Sequence, residues 1–375
     1  MIKVLGPTAD QWTKDKLTEV INSGWWGQGP VTAEFEREFA KRIGVKHAIA
    51  VSSGTAALDL ALKAHFPGNQ GGELITTPMT FVADAIVGPW NGMRVTFADI
   101  HRETLCIDPE AIEFNKDTRA IIAVHSHGRL TNMAALNRRV GINAEKFGHR
   151  VLVIEDCAHA MHTPTAGLHG DIAIWSFQAV KTLPAGDGGM VTTNNDAIAQ
   201  TIRNMTWLGI EKSTYARARG AKYTWDYDIV HDGQKSYMND INAALALGGL
   251  RRIDEILDKR QRIQANYNAA FHELPGVRVP IWSHTCQYYT LETENRDAIG
   301  EILSKAGIAT SVHFKPLHLM TYWKDSARNP LPVTDKVWPK LLSLPVHDGL
   351  TPDEQAHIVE TFQAAVWEEW KRSGR

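Results

Sequence analysis

The chain has 375 residues, room for one large domain and one smaller one. Lys and Arg total 40 against 42 Asp and Glu, and the resulting formal charge of −2 excludes a polycation built for nucleic acid or anionic membrane. With 43% hydrophobic and 22% charged residues the composition is globular, which excludes an intrinsically disordered chain.

The first residues, Met1-Ile2-Lys3-Val4-Leu5-Gly6-Pro7, hold no apolar stretch of signal-peptide length, and a cytoplasmic protein is expected. Cys106, Cys157 and Cys286 are odd in number, far apart and without a Cys-x-x-Cys pair, so neither a disulfide framework nor a thiolate zinc site is expected.

In chain order, Thr8 with Gln11 predicts a capped helix, and Gly24 to Pro30, with Trp25 and Trp26, predicts an exposed loop. Short Val- and Ile-rich runs then alternate with helix-period stretches: Ala48–Val51, Leu74–Thr77, Val95–Ala98, Ala120–Val124, Val151–Ile154, Ile172–Phe177 and Met190–Thr193. Continuous apolar strands separated by helices indicate a mostly parallel sheet buried on both faces, a three-layer α/β domain. From Asp240 to His272 the apolar spacing predicts one long helix linking two domains. Beyond it Gln287–Glu292 and Thr310–Phe314 read as strands around a helix carrying Ile299, Ile302 and Leu303, a smaller α+β domain. Thr351-Pro352-Asp353-Glu354 is a capping box that opens a last amphipathic helix through Ile358, Phe362 and Val366. The expected division is a large domain over 1–250, with an N-terminal arm, and a small one over 251–375.

Four strand ends carry polar or glycine-rich residues at the edge where open α/β sheets bind ligands. In Val51-Ser52-Ser53-Gly54-Thr55 a strand turns into a helix whose first N–H groups and Thr55 hydroxyl can hold a phosphate; a plain capped helix start explains the same residues. Thr76-Thr77-Pro78-Met79-Thr80-Phe81 brings one aromatic ring to this edge, where a core phenylalanine is the default reading. Val153-Ile154-Glu155-Asp156 sets a carboxylate after a strongly apolar strand, a costly place unless it meets a cation or donors. A metal held by Asp156, His159 and His162 is a competing reading, but the spacing matches no recognised metal motif, and no metal is expected. In Asp171 to Met190 a strand ends at Ser176, Lys181 follows five residues later, and Gly186-Asp187-Gly188-Gly189 returns to another strand. A lysine in that setting is either a solvated charge or a Schiff-base amine.

These pieces match the needs of pyridoxal 5'-phosphate (PLP): an amine for an imine, a carboxylate for the ring nitrogen, an aromatic face and donors for a phosphate. Lys181, Asp156, Phe81, and the trio Gly54, Thr55 and Ser176 supply them in that order.

On these residues the chain resembles the DegT/DnrJ/EryC1/StrS aminotransferases. The resemblance runs from Gly29-Pro30 and Phe35-Glu36 through the segments above to Met238-Asn239-Asp240-Ile241-Asn242-Ala243-Ala244, Val312-His313-Phe314, Pro316-Leu317-His318 and Ser343-Leu344-Pro345. It implies the three-layer PLP transferase fold type I, aspartate aminotransferase-like. It also implies Lys181 as the Schiff-base lysine, Asp156 as partner of the pyridine nitrogen, Phe81 stacked on the ring and His159 near the phenolic oxygen. Lys235 falls at the position that reaches the cofactor phosphate of a neighbouring subunit, which implies a homodimer with shared sites. Gln234 stands where the family commonly has an aromatic residue. The activity implied is transfer of an amino group from L-glutamate or L-glutamine to a keto sugar, most often nucleotide-linked in this family, by a ping-pong route, with no nucleic-acid or membrane partner.

The alternatives are an acceptor that is a cyclitol or other ketone, a PLP-dependent sugar dehydratase, or a noncatalytic regulator of the same fold. Dehydratases of the family carry histidine in place of the lysine, and Lys181 with Asp156 also speaks against a regulator. A nicotinamide dehydrogenase lacks its Gly-x-Gly-x-x-Gly turn here. His313 and His318 are candidates for the substrate mouth by resemblance, Trp25 and Trp26 for the sugar site or a dimer contact. Arg217, Arg219, Lys222 and Trp225 match no particular subfamily.

Overall fold

Each apolar run becomes a strand of one sheet. The structure, a computed structural model, describes residues 1–211, 227–324, 326 and 329–374, so Arg217, Arg219, Lys222 and Trp225 lie outside the described residues. Helices α1 (Gln11–Ser23) and α2 (Pro30–Ile43) precede β1 (His47–Val51), and α3 (Gly54–His65) follows it. Next come β2 (Glu73–Thr76), α4 (Ala83–Trp90), β3 (Arg94–Phe97), β4 (Thr118–Val124), α5 (Met133–Phe147), β5 (Leu152–Asp156), β6 (Ile172–Ser176), β7 (Gly189–Thr193) and α6 (Asp196–Met205).

The seven strands form one sheet in the order β1-β7-β6-β5-β4-β2-β3. Only β7 runs antiparallel to its neighbours; the β2–β3, β2–β4, β4–β5 and β5–β6 pairs are parallel. Alternate residues serve opposite faces, which explains why the strands read as continuous apolar runs. Ile49, Val51, Ile172 and Ile174 join one core with Leu58, Leu62 and Ile202 of α3 and α6. Ala48, Ala50, Ala173 and Trp175 join the other with Phe35 and Phe39 of α2. There the Phe39 ring meets Trp175 edge-on at 5.3 Å and the Phe35 ring meets Phe177 at 5.2 Å.

The predicted long helix is two: α7 (Asp240–Arg251) and α8 (Ile253–Phe271). Arg252 leaves helical geometry at φ −100°, ψ 7°, and its guanidinium meets Thr8 Oγ1 at 3.3 Å and Asp348 Oδ2 at 3.5 Å. Ile253 and Leu257 still pack in the large core, whereas Tyr267 and Phe271 pack in a second one. Apolar spacing carries straight through the turn, so periodicity does not register it.

That second core lies over a three-stranded antiparallel sheet of β8 (Val277–Arg278), β9 (Tyr289–Thr293) and β10 (Leu341–Leu344), order β10-β9-β8. It is covered by α9 (Arg296–Lys305) and α11 (Pro352–Arg372), with α10 (Pro332–Val337) between them in sequence. The capping box at Thr351 and Glu354 is present. Residues 2–4 lie on this sheet's side of the molecule: Ile2 N donates to Gly307 O and Val346 N to Val4 O.

Two local expectations fail. Asp10, not Thr8, caps α1, accepting from Thr13 N at 2.8 Å, while the Thr8 hydroxyl bonds Asp348. Thr310–Phe314 is no strand; only Ser311 pairs, with Ser343, and the chain then leaves the sheet so that the rings of His313 and Phe314 reach the cleft described next. No helix among the described residues is long and apolar enough to cross a membrane.

Candidate active site

Strand register decides the site. Asp156 at the end of β5 stands opposite Ile174 of β6, so the ends of β5 and β6 deliver Asp156 and Ser176 to one edge of the sheet. The chain turns back on itself after β6: Phe177 N donates to Gly188 O, Ala179 N to Gly186 O and Lys181 N to Gln178 O. Lys181 sits at the tip of that turn. Gly189, which opens β7, lies so close to the start of α3 that a Cβ there would be 2.5 Å from the Ser53 carbonyl. Only glycine permits the approach.

The resulting cleft has a volume of about 570 Å³. Gly54, Thr55, Phe81, Asp156, His159, Ser176 and Lys181, seven of the eight expected residues, line it. Lys235 does not: it is exposed, in a bridge with Trp207 and with its ammonium 5.7 Å from that ring. Of the mouth candidates His313 lines the cleft, whereas His318 bonds Asp335 at 3.0 Å outside it; Trp25 and Trp26 are not among the lining residues.

Burial lowers the Lys181 ammonium to about 8, with Asp156 and Asp84 pulling the other way. A lysine so placed holds a sizeable neutral fraction near physiological pH. Asp156 Oδ1 accepts from Ala158 N at 2.7 Å. His159 and His313 are driven toward the neutral form mainly by burial and secondly, for both, by the charge of Lys181; for His313 the value falls to about 3. His159 stacks on Phe314 at 5.9 Å, and Tyr288 stacks on His313 at 3.7 Å.

Three features fit a ligand with an aromatic ring, polar ring substituents and an anionic group. Phe81 is 57% exposed at the cleft instead of lying in the core, an aromatic face left bare. His159 Nδ1 is buried without a partner among the described residues. Ser53 caps α3 through Ala56 N at 3.1 Å, while the Gly54 and Thr55 N–H groups are the helix's own unpaired start beside Ser176; a Cβ on Gly54 would stand 3.0 Å from Ser176 Cβ and close the cradle. PLP has all three parts, so the residues fit it.

The metal reading fails geometrically. His162 leaves Asp156 and His159, bonding Arg42 Nη2 at 2.9 Å and lying 3.7 Å from Asp254. A different buried trio, His125, Glu155 and Cys157, does cluster, but its carboxylate is already engaged by His125 Nε2 at 2.8 Å and the N–H groups of Gly167, His169 and Gly170. Burial also pushes the Cys157 thiol well above its usual value, against a thiolate ligand.

Asp84, Gln178 and Tyr288 line the cleft without having been singled out from the sequence, and Gln287 holds the Lys181 segment from behind it. Asp84 left a signal: it is a lone carboxylate in Phe81-Val82-Ala83-Asp84-Ala85-Ile86-Val87. Gln287 left none.

The fold and cleft are those of an aminotransferase. The model of the DegT/DnrJ/EryC1/StrS aminotransferase family matches residues 7–363, and the chain belongs to that family. It is 34% identical to the spore coat polysaccharide biosynthesis protein SpsC of Bacillus subtilis, over 94% of this chain and 93% of that one. It is 31% identical to the dTDP-4-dehydro-2,3,6-trideoxy-D-glucose 4-aminotransferase of Saccharopolyspora spinosa, over 98% and 97%. The crystal structure of the sugar aminotransferase CalS13 from Micromonospora echinospora superposes with a TM-score of 0.87 at 31% identity, covering 97% of this chain and 100% of that one. A Streptococcus pneumoniae protein, Spr1654, 26% identical, matches in its PLP form at a TM-score of 0.86, covering 98% and 99%, and in its PMP form at 0.89, covering 98% and 100%.

Proposed function

We propose that this chain is a PLP-dependent sugar aminotransferase that takes its amino group from L-glutamate or L-glutamine and gives it to a nucleotide-linked keto hexose. The observation that carries the reading is the buried Lys181 ammonium, brought down to about 8, in one cleft with Asp156, Phe81 and the α3 start. When bound, PLP supplies an electron sink for the carbon that gains or loses nitrogen.

The residues then have distinct tasks. Lys181 would attach the cofactor through Nζ and, when free of it, would accept and pass on a proton at that nitrogen. Asp156 keeps a proton on the ring nitrogen, and Phe81 holds one face of the ring. Gly54, Thr55 and Ser176 bind the phosphate; neutral His159 offers its free Nδ1 to a polar ring substituent. One cleft of about 570 Å³ serves donor and acceptor in turn, which supports ping-pong turnover.

The same reading divides the chain into a large domain over 1–250 and a small one over 251–375. It also makes the enzyme a homodimer, in which Lys235 serves the phosphate site of a second copy. The exposure of Lys235 outside its own cleft, with the side chains of Leu208, Ile229 and Val230 exposed as well, supports this.

Borohydride reduction of the yellow protein followed by peptide mapping tests the attachment, and a tag on any residue but Lys181 overturns it. Adding L-glutamate or L-glutamine should bleach the visible band, and a nucleotide-linked 3-keto or 4-keto hexose should restore it. If neither donor changes the spectrum, the transaminase reading fails.

A further inference from the structure

Asp84 has no part in the tasks above, yet it is among the most buried carboxyls of the cleft. It lies in the first turn of α4 with 1% of its surface exposed. The Thr80 hydroxyl donates to Oδ2 at 2.6 Å. The other oxygen, Oδ1, is buried and accepts from no donor among the described residues. What stands within hydrogen-bonding reach of Asp84 is the carboxyl of Asp156, another acceptor when ionised.

Two ionised carboxylates cannot share a buried contact without a donor between them. One proton held between the two resolves both problems: it pairs the orphaned oxygen and removes the like-charge repulsion. The surroundings decide which carboxyl carries it. Asp156 Oδ1 already accepts the Ala158 N–H, whereas Asp84 Oδ1 accepts from no donor among the described residues. Asp84 has a single hydroxyl donor. Burial first, and then the Asp156 charge, raise it well above the usual carboxylate range; among the described residues, Thr80 and the ammonium of Lys181 are the groups that oppose this.

We propose that Asp84 is a positioning residue, a neutral carboxylic acid whose O–H donates to the Asp156 carboxylate and fixes how that carboxylate faces the cleft. The consequence for the ring nitrogen rests on the PLP reading above; the protonation does not. A carboxylate that already accepts an amide N–H and an acid O–H is a weaker base toward a third partner. The pair thus meets the ring with one negative charge, shared and oriented, instead of with two that repel.

The test separates these layers. In the cofactor-free wild-type protein at about pH 7, infrared difference spectra against D84N should show the carbonyl stretch of a protonated carboxylic acid in the wild type alone. Absence of that band, or its survival in D84N, overturns the proposal, and this readout holds whether or not the chain binds PLP. Pyridoxal 5'-phosphate itself is the second probe. D84A, which removes the bond to Asp156, should weaken binding about tenfold or more. D84N should restore most of that loss, because its amide can donate to Asp156 while its carbonyl accepts from Thr80. Binding by D84N as weak as by D84A also overturns the proposal, since it would mean that the charge of Asp84, not its hydrogen, is what the site uses.

Discussion

The carboxamide of Gln287 grips the chain on both sides of Lys181: its Oε1 accepts from Thr182 N at 2.8 Å and Thr182 Oγ1 at 2.7 Å, and its Nε2 donates to Val180 O at 2.9 Å. Gln287 is fully buried and lies just before β9, so the segment leading into the small sheet holds the lysine of the large one. Q287A leaves two donors and an acceptor unpaired in a dry place, at a cost of about 2–4 kcal/mol. Urea unfolding should show that loss. Attachment of PLP, followed by its visible band, should slow at least tenfold because Nζ is no longer held in place. Q287E keeps the Thr182 bonds but cannot donate to Val180, so it should fall between the two. Wild-type attachment rates in Q287A would remove Gln287 from the positioning of Lys181.

The lowered lysine predicts two pH effects. Attachment requires the neutral amine, so its rate should rise with pH and level off above about 8, whereas an ordinary lysine would still be climbing near 10.4. Stability should move as well. Between about 8 and 10.5 the unfolded chain binds the proton that the folded cofactor-free chain has shed, so folding becomes more favourable as pH rises through that window. Below about 8 both states are charged and the folded state carries the full desolvation penalty. K181M should therefore be more stable than wild type at about pH 7, with the gap shrinking by about pH 9. A gap independent of pH would show that the ammonium is not desolvated.

Most of the site was legible because its residues sit where strands end, and strands buried on both faces announce themselves as apolar runs. Asp156, Ser176 and Lys181 could be placed from such runs alone. Phe81 could be named but not oriented: only the packing shows that its ring faces the cleft. The turn at Arg252 was invisible because Ile253 and Leu257 keep the helical spacing across it. Gln287 was invisible for another reason: its partners, two main-chain atoms and the Thr182 hydroxyl, are 105 and 107 residues away, and no local pattern encodes a contact of that range. His318 was a candidate for the mouth by resemblance alone, and Asp335 draws its imidazole to α10, outside the cleft.

Gly189 joins β7 to the start of α3 without a side chain of its own. G189A puts a methyl 2.5 Å from the Ser53 carbonyl and 2.7 Å from Gly54 N, both backbone atoms that cannot swing aside. The strand and the α3 start must separate, at a cost of about 1–3 kcal/mol. The first N–H groups of α3 then lose their position relative to Ser176. PLP should bind at least tenfold more weakly to G189A, while pyridoxal, which lacks the phosphate, should lose much less. Equal losses for the two would move the defect from the cradle to the whole cleft.

Asp240 closes the gap between α7 and α2. Its carboxylate accepts from the N–H groups of Gly29 at 2.8 Å, Val31 at 3.2 Å and Thr32 at 2.9 Å, and from the Thr32 hydroxyl at 2.6 Å. It thereby caps a helix to which it does not belong, across 208 residues of sequence, with its negative charge at the positive end of the α2 dipole. D240A strips four donors of their acceptor in a buried place and should cost about 3–4 kcal/mol, visible as a lower urea midpoint with an unchanged slope. D240N keeps one carbonyl acceptor and the shape but not the charge, and should cost about half as much. Val31, Phe35 and Phe39 of α2 pack in the same core as Trp175 and Phe177, which flank Ser176. Loosening the start of α2 should therefore also raise the PLP dissociation constant a few-fold. An unfolding midpoint unchanged in D240A would mean that water satisfies the helix start as well as the carboxylate does.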